Sequence, residues 1–187
     1  MILQRSIKVT VSKTDINNCF IIELNEQKDS RGKFVKTYNT TAFSDAGISF
    51  SSAEEYYSVS NKNVLRGLHV QIPPHDHDKI VYCITGHIMD VVIDIRKDSS
   101  TYLKFLTIEL SGDDKKMVFL PKGCAHGFYS YEDNTIVMYK VTSEYSPLHD
   151  KGILWDSFDI PWPSKEGLII SDRDLSFPAF SQFDNPF

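Results

Sequence analysis

The sequence has few of the features that mark a disulfide-bonded or zinc-binding protein. Its 187 residues include three cysteines, Cys19, Cys83 and Cys124, without CxxC spacing. An odd number of widely spaced cysteines argues against a disulfide scaffold and against a zinc knuckle. We therefore expect reduced thiols, with Cys83 in the core because it lies within an apolar run.

Long runs of basic or of apolar residues are also missing. There are 20 Lys and Arg against 25 Asp and Glu, a formal net charge of −5 at pH 7, and no basic block that could follow a nucleic-acid backbone. The N-terminal letters MILQRSIKVT lack the apolar stretch of a signal peptide, and no apolar run is long enough to span a membrane. These absences predict a cytoplasmic protein without nucleic-acid or membrane partners. An anionic small ligand stays open, because a few arginines in a cleft can bind one.

Helical periodicity is scarce, and short extended runs between turn residues take its place. Strands are predicted on both sides of Gly86 within residues 81–95, and at 102–110, 116–120 and 135–142. The segment PKGCAHGFYS is expected to supply the turn between the last two of these strands. Residues 39–46 are the best helix candidate, with a further turn near Asp172.

This pattern favours an all-β fold. Alternating strands and helices are not found, nor is a Gly-rich phosphate-binding loop, which argues against α/β nucleotide-binding folds. Many short strands separated by turn signals are typical of a β sandwich or barrel. We expect one domain over residues 1–187, with an N-terminal arm and a C-terminal tail rich in Pro and Phe.

The letters NVLRGLHVQ at residues 63–71 contain two side chains suited to chemistry on a phosphorylated substrate. The fork of Arg66 can donate two hydrogen bonds to phosphate oxygens, and His69 can move a proton near neutral pH. Side chains on one face of a strand are two residues apart, so a turn at Gly67 must help if both are to reach one cleft. The alternative is a surface arginine and a core histidine.

Two further polar residues lie at the edges of apolar strands. Lys79 follows the loop PPHDHD at the start of a predicted strand, where its ammonium could point into a barrel mouth or simply into solvent. His126 follows the PxG turn in PKGCAHGF and is as consistent with a hydrogen-bonded core histidine as with a ligand-binding one.

The letters HDH at residues 75–77 have a spacing that suits a metal ion. Cupin metal sites combine such a pair with a downstream Glu and a third histidine, a role His126 could fill. Here the next strand offers Lys79 and no Glu, and a cation among the ligands would repel a metal. We therefore expect no metal, and surface-loop histidines at His75 and His77.

Together these segments resemble the dTDP-4-dehydrorhamnose 3,5-epimerase family, whose fold is a cupin-type β jelly roll. The similarity extends over about residues 29–178. It is carried, in the order of the family, by DSRGKF, KNVLRGLHVQ, GHIMDVVIDIRKDSSTY, PKGCAHGF, VMYKVTSEYSP, ILWD, PWP and SDRDLSFP.

The resemblance implies a catalytic set without metal, redox cofactor or covalent intermediate. By analogy with the family, His69 is the base and Asp174 is the carboxylate that orients it. Tyr139 is the general acid on the other face of the sugar, and Lys79 is the cation beside the C4 carbonyl oxygen. A base, an acid and a positive charge at the developing enolate oxygen are what inversion next to a ketone requires.

The resemblance also implies a set of substrate-binding residues and a homodimer. Arg66 and Arg31 are expected to bind the pyrophosphate, and His126 is a second polar group in the pocket. Family members exchange the N-terminal strand between subunits, so Arg31 is expected to serve the partner's site. Tyr145 is expected to pack on the base. The remaining binding positions are Phe34, Lys36, Glu54 and Tyr56.

The sequence departs from the family at two positions that in the family lie near the nucleotide base, Lys36 and Glu54, and at one that lies nearer the sugar, Tyr56. It has Lys36 in RGKFVK, where the family has RGxFxE, and Glu54 and Tyr56 where the family has Gln and Asn. A change from carboxylate to ammonium replaces an acceptor by a donor, which predicts a GDP- or CDP-linked rather than a thymidine-linked sugar.

The function expected is that of an epimerase at C3, C5 or both of a nucleoside-diphosphate-linked 4-keto-6-deoxy sugar, in deoxysugar biosynthesis for a surface polysaccharide or natural product. The alternatives are a single-centre epimerase or ketoisomerase on the same scaffold, a non-catalytic sugar-binding jelly roll, and a metal-dependent cupin oxygenase.

Overall fold

The computed structural model describes residues 9–187 of the chain. Two short helices, α1 (Thr40–Asp45) and α2 (Asp172–Leu175), and a 3-10 turn at Phe180–Gln182 accompany thirteen strands in this part of the chain. The strands are β1 (Thr10–Lys13), β2 (Phe20–Glu23), β3 (Glu26–Asp29), β4 (Gly32–Val35), β5 (Glu54–Ser60), β6 (Leu65–Gln71), β7 (Lys79–Thr85), β8 (His87–Asp94), β9 (Phe105–Ser111), β10 (Lys116–Leu120), β11 (Cys124–Ser130), β12 (Thr135–Val141) and β13 (Asp150–Gly152).

Two antiparallel sheets form the body of the molecule. One has the strand order β1-β2-β10-β7-β12-β5, and the other has the order β13-β6-β11-β8-β9. Strands next to each other in the sequence, such as β5 and β6 or β10 and β11, lie in different sheets, as in a jelly roll. The predicted all-β fold of the cupin type is confirmed. The hairpin of β3 and β4 pairs outside both sheets.

Apolar side chains are buried on three levels. Val92 and Phe128 lie between the sheets. The outer face of the five-stranded sheet is covered by residues 153–187, which contribute Trp162, and the outer face of the six-stranded sheet is covered by α1 through Phe43. Because the five-stranded sheet is covered on both sides, polar residues within its strands are buried as well.

Most of the predicted elements are found. Helix α1 begins after Asn39, whose side chain accepts the N–H of Ala42 at 3.0 Å as an N-cap. Gly86 separates β7 from β8 with φ +82°, and an added Cβ there would lie 2.2 Å from the Thr135 hydroxyl oxygen. Strand Lys116–Leu120 has the predicted bounds. Within residues 9–187 the longest helix is too short and too polar to cross a membrane.

The segment PKGCAHGFYS is not the predicted turn. Only residues 121–123 turn, and the rest is strand β11, which lies between β6 and β8 in the five-stranded sheet with all of its residues buried. Gly127 belongs to this strand because two backbones come close there: an added Cβ would lie 2.8 Å from the carbonyl oxygen of Arg66.

A β-bulge in β6 turns the two chemically important residues of that strand the same way. Between the pairs that Arg66 and His69 make with β11, two residues of β6 face only Gly127. Gly67 has φ +123°, and a Cβ there would lie 2.7 Å from the Cα of Gly127. The bulge confirms that a turn at Gly67 lets two residues three apart line one cavity.

Candidate active site

A cavity of about 330 Å³ opens at one end of the space between the sheets. It contains eight of the twelve residues that the sequence singled out. They are Glu54, Tyr56, Arg66, His69, Lys79, His126, Tyr139 and Tyr145.

His69 is held by a carboxylate that comes from late in the sequence. Its Nε2–H donates to Asp174 Oδ1 at 2.9 Å, and the N–H of Gly67 donates to Asp174 Oδ2 at 2.9 Å. Burial by itself raises the pKa of Asp174, but hydrogen bonds with His69, Gly67 and Ser171 outweigh it and hold the pKa below its usual range. The ionised Asp174 therefore keeps the proton of His69 on Nε2 and leaves Nδ1 as the basic nitrogen.

Lys79 is the first residue of β7 and lies on the side of the cavity formed by the six-stranded sheet. Burial lowers the pKa of Lys79 to about 8, although the nearby carboxylates of Asp150 and Asp90 favour its charged form. Lys79 is therefore a cation at neutral pH, in surroundings that solvate it poorly. A negative charge that develops on a substrate oxygen beside it would be strongly attracted.

Tyr139 supplies a phenol to the same cavity from β12. Its hydroxyl lies 3.2 Å from Ser58 Oγ, and its ring stacks on Tyr56 with centroids 4.8 Å apart and planes 17° apart. Burial raises the pKa of Tyr139 well above the usual value and that of Tyr56 to about 12. Both phenols keep their protons at neutral pH, so that Tyr139 can act as a proton donor.

His126 is paired with a carboxylate that the sequence analysis did not single out. Its Nε2 lies 2.7 Å from Oδ1 of Asp90, which is fully buried. Burial lowers the pKa of His126 even though Asp90 opposes this shift, so the ring is a neutral polar group. The signal for Asp90 was its position in the apolar letters MDVVIDI, since a buried carboxylate needs a partner.

At the mouth of the cavity, Arg66 is fixed through part of its guanidinium. Nε donates to Ser60 Oγ and Nη2 to the carbonyl oxygen of Val59, both at 3.1 Å. Within residues 9–187 the N–H groups of Nη1 have no partner, so they can bind a substrate anion.

The mouth also carries residues that could contact a nucleoside. Tyr145 is 56% exposed, and its backbone N–H donates to Glu54 Oε2 at 2.7 Å. An ion pair between Arg173 Nη2 and Asp150 Oδ2, 2.6 Å apart, lies at the same rim. The sequence analysis missed this pair because its members come from distant segments.

The remaining three predicted binding residues lie on or beside the β3–β4 hairpin, away from this cavity. Arg31 forms an exposed ion pair with Asp29 at 2.6 Å, Phe34 is 60% exposed, and Lys36 is exposed. One chain therefore does not bring Arg31, Phe34 and Lys36 to its own site. Their predicted role requires the hairpin of a second subunit.

The histidines considered as metal ligands face other partners. The ring of His75 packs on His149 with centroids 4.6 Å apart, and His77 Nδ1 lies 3.0 Å from Gln71 Nε2. In the described part of the chain no three His, Cys, Asp or Glu residues form a group that could hold a metal ion. Metal-independent activity stays a prediction.

Comparisons with known proteins find relatives that match over most of the chain. Residues 13–182 match the family model dTDP-4-dehydrorhamnose 3,5-epimerase. The enzyme of that name from Shigella flexneri is 37% identical over 94% of this chain and 98% of the relative, and that from Escherichia coli K12 is 39% identical over 89% and 91%.

Solved structures give the same result. The dTDP-4-dehydrorhamnose 3,5-epimerase from Bacillus anthracis, with TDP and PPi bound, has a TM-score of 0.87 at 36% identity and covers 91% of this chain and 98% of its own. The dTDP-6-deoxy-D-glucose-3,5-epimerase from Legionella pneumophila, in complex with dTDP-4-keto-L-rhamnose, has a TM-score of 0.89 at 31% identity and covers 94% and 95%.

Proposed function

We propose that this protein inverts C3, C5 or both of its substrate with His69 as the base. The chain belongs to the dTDP-4-dehydrorhamnose 3,5-epimerase family and is an isomerase of 4-keto-6-deoxy sugars. A ketone at C4 acidifies the protons on C3 and C5, because the anion left behind delocalises onto the carbonyl oxygen. His69 Nδ1 removes the proton, Lys79 stabilises the oxygen anion, and Tyr139 delivers a proton to the opposite face.

The origin of these groups in opposite sheets is the observation that supports this proposal best. The His69–Asp174 pair acts from β6 in the five-stranded sheet, whereas Lys79 and Tyr139 project from β7 and β12 in the six-stranded sheet. A sugar ring bound between the sheets would meet a base on one face and an acid on the other. A binding protein without catalysis would not need this separation.

Product analysis in deuterated water tests the proposal. Candidate nucleotide-linked 4-keto-6-deoxy sugars are incubated with the enzyme, and NMR locates the deuterium and the inverted centres. Deuterium at C3 or C5 of inverted product supports the proposal and separates double from single inversion. A moved carbonyl would indicate a ketoisomerase, and substrate bound without any exchange would contradict catalysis.

Removing the proposed acid distinguishes proton exchange on the His69 face of the sugar from proton delivery on the opposite face. We expect Tyr139→Phe to keep deuterium wash-in from the His69 face while inverted product falls below detection. Tyr82→Phe is the matched control, because Tyr82 lies on the same sheet but packs in the outer apolar layer. Normal product from Tyr139→Phe would remove Tyr139 from the mechanism.

We also propose that the active form is a homodimer, with residues 1–187 forming one domain in each subunit, in the cytoplasm. The exposed Tyr57 and Val59 on the outer face of β5 and the exposed Phe34 on the hairpin support a second copy as the partner. The free, buried thiols suit a reducing compartment.

Mixing two inactive variants tests the exchange of the hairpin. Arg31→Ala removes a side chain that would serve the partner's site, and His69→Asn removes the base of the subunit's own site. If the sites are shared, heterodimers regain one intact site and the mixture recovers up to about a quarter of the activity. No recovery after confirmed subunit exchange would contradict a shared site.

A further inference from the structure

His77 lies in the wall of the active-site cavity, and the proposed mechanism gives it no role. It precedes β7 by two residues and lines the cavity together with Lys79. A narrow cleft behind the cavity is lined by the same two residues and by Gln71. His77 therefore forms part of the wall between these two spaces, beside the cation of the site.

Hydrogen bonds around the ring fix which nitrogen carries the proton. Gln71 Nε2 lies 3.0 Å from His77 Nδ1, 3.2 Å from the carbonyl oxygen of His75 and 3.4 Å from that of Glu144, while Gln71 Oε1 accepts the N–H of Ser146 at 2.7 Å. This orients the amide so that its NH₂ faces the ring. A proton on Nδ1 would oppose this NH₂ group, and so Nδ1 is the acceptor.

The second neighbour of Nδ1 is compatible with this assignment, which depends on Gln71 alone. Ser143 Oγ lies 3.1 Å from His77 Nδ1 and can donate to it or to the carbonyl oxygen of His75 at 2.8 Å. The proton of the neutral ring is therefore on Nε2. Within residues 9–187 Nε2 has no hydrogen-bond partner and is not among the enclosed polar atoms that lack one. It is therefore accessible to solvent.

The ring is also neutral throughout the pH range in which the enzyme would work. Burial is the main cause, with the charge of Lys79 adding to it, and together they lower the pKa of His77 to about 3. A neutral N–H can donate to an oxygen without adding a second cation next to Lys79. An oxygen that approaches the ammonium would then receive a directional hydrogen bond from a second side.

We propose that His77 is a further substrate-contacting residue of the reaction, whose Nε2–H donates a hydrogen bond to the substrate oxygen that Lys79 attracts. The inference deepens the proposed function and depends on it, since that oxygen is the C4 oxygen of the 4-keto sugar. Gln71 is the positioning residue that holds the ring in the donating tautomer. Because negative charge develops on this oxygen during proton removal, the contact strengthens in the transition state and acts mainly on kcat.

Variants at position 77 test the donor directly. His77→Leu and His77→Phe remove the N–H, and both should lower kcat and the rate of deuterium wash-in about 10- to 100-fold with little change in KM. His77→Gln supplies an uncharged N–H of similar reach and should retain most of the activity, with the pH profile of the unaltered enzyme. His75→Leu, in the same loop but outside the cavity, is the control for effects on the loop. Thermal unfolding checks that each variant is folded.

Two results would overturn the inference. Leu and Phe variants as fast as the unaltered enzyme would show that no contact is made, and a Gln variant as slow as the folded Phe variant would show that the ring rather than its N–H matters. An unaltered enzyme that neither exchanges nor inverts any 4-keto sugar would instead contradict the proposed function itself.

Discussion

In the proposed mechanism, His69 is effective as a base only while Asp174 holds its ring, because the carboxylate fixes the tautomer and stabilises the imidazolium that forms. We expect His69→Asn to lower kcat about 1,000-fold or more and to abolish exchange. Asp174→Asn should be milder but should still cost about 100-fold, since the amide cannot balance the new positive charge. Steady-state rates on variants with unchanged unfolding temperatures measure this. Turnover of more than about a few per cent in His69→Asn would mean that another group removes the proton.

Loss of the proton from Lys79 should make kcat depend on pH in the alkaline range. Its pKa is lowered to about 8, so the ammonium is present below that pH and is lost as the pH rises through it. The kcat of the unaltered enzyme should therefore fall above about pH 8. Lys79→Arg keeps its charge at all these pH values. It should be slower at pH 7 but should show no fall between pH 8 and 9.5, and a fall in both enzymes would assign the alkaline limb to another group.

What the sequence could predict of the site follows from how local each signal is. His69 and Lys79 stand at recognisable positions of single strands, and the bulge at Gly67 could be inferred from the spacing of Arg66 and His69. Asp90 could not be assigned, because its role depends on His126, which the neighbouring strand β11 brings to it. His77 could not be assigned either, because the hydrogen bond from Gln71 that selects its tautomer exists only once the loop between β6 and β7 has folded.

Among the structural elements, β11 shows where reasoning from sequence fails. Glycines in PKGCAHGFYS indicate turns in isolation, yet Gly127 is in a central strand because β6 passes too close for a side chain. Strands β7, β8, β10 and β12 were predicted correctly, since their apolar residues and the turn at Gly86 are local signals. The contact between two backbones is not local.

The bulge in β6 should be intolerant of any side chain at Gly67. Its φ of +123° disfavours other residues, and a Cβ would lie 2.7 Å from the Cα of Gly127. We expect Gly67→Ala to lower the free energy of unfolding by about 2–4 kcal/mol and to impair activity. Gly32→Ala is the matched control, with φ +118° and nothing within 4 Å of the added Cβ. Chemical denaturation measures both, and equal losses would show that strain alone, rather than the contact with β11, requires glycine.

For the whole molecule, we expect the choice of nucleotide to depend on the hairpin and the cavity mouth together. Glu54 Oε2 is already engaged by the Tyr145 N–H, and Lys36 offers a donor from the hairpin that a second subunit would supply. An ammonium suits the ring and carbonyl acceptors of guanine or cytosine better than the ring N–H of thymine. Calorimetric titration with TDP, UDP, GDP and CDP should find GDP or CDP bound most tightly, and Lys36→Glu should weaken that preference.

The same titration has a control within the hairpin. Lys33→Glu makes an equal change of charge, but the Lys33 ammonium is bound to the carbonyl oxygen of Gly112 at 2.8 Å in its own chain. Lys33→Glu should leave the order of affinities for the four nucleotides unchanged. If TDP is bound most tightly and Lys36→Glu does not alter the order, base recognition does not involve Lys36.

Asp174 belongs to the segment that covers the outer face of the five-stranded sheet, so the proposed base depends on the docking of that segment. Asp174 lies 105 residues after His69 in the sequence, beyond β13, the last strand of the two sheets. A chain whose two sheets have packed together but whose covering segment has not docked would have a pocket in which no carboxylate orients the ring of His69. Such a chain would bind the sugar without transforming it. Fraying of that segment under mild stress would silence the enzyme while its pocket still held a ligand.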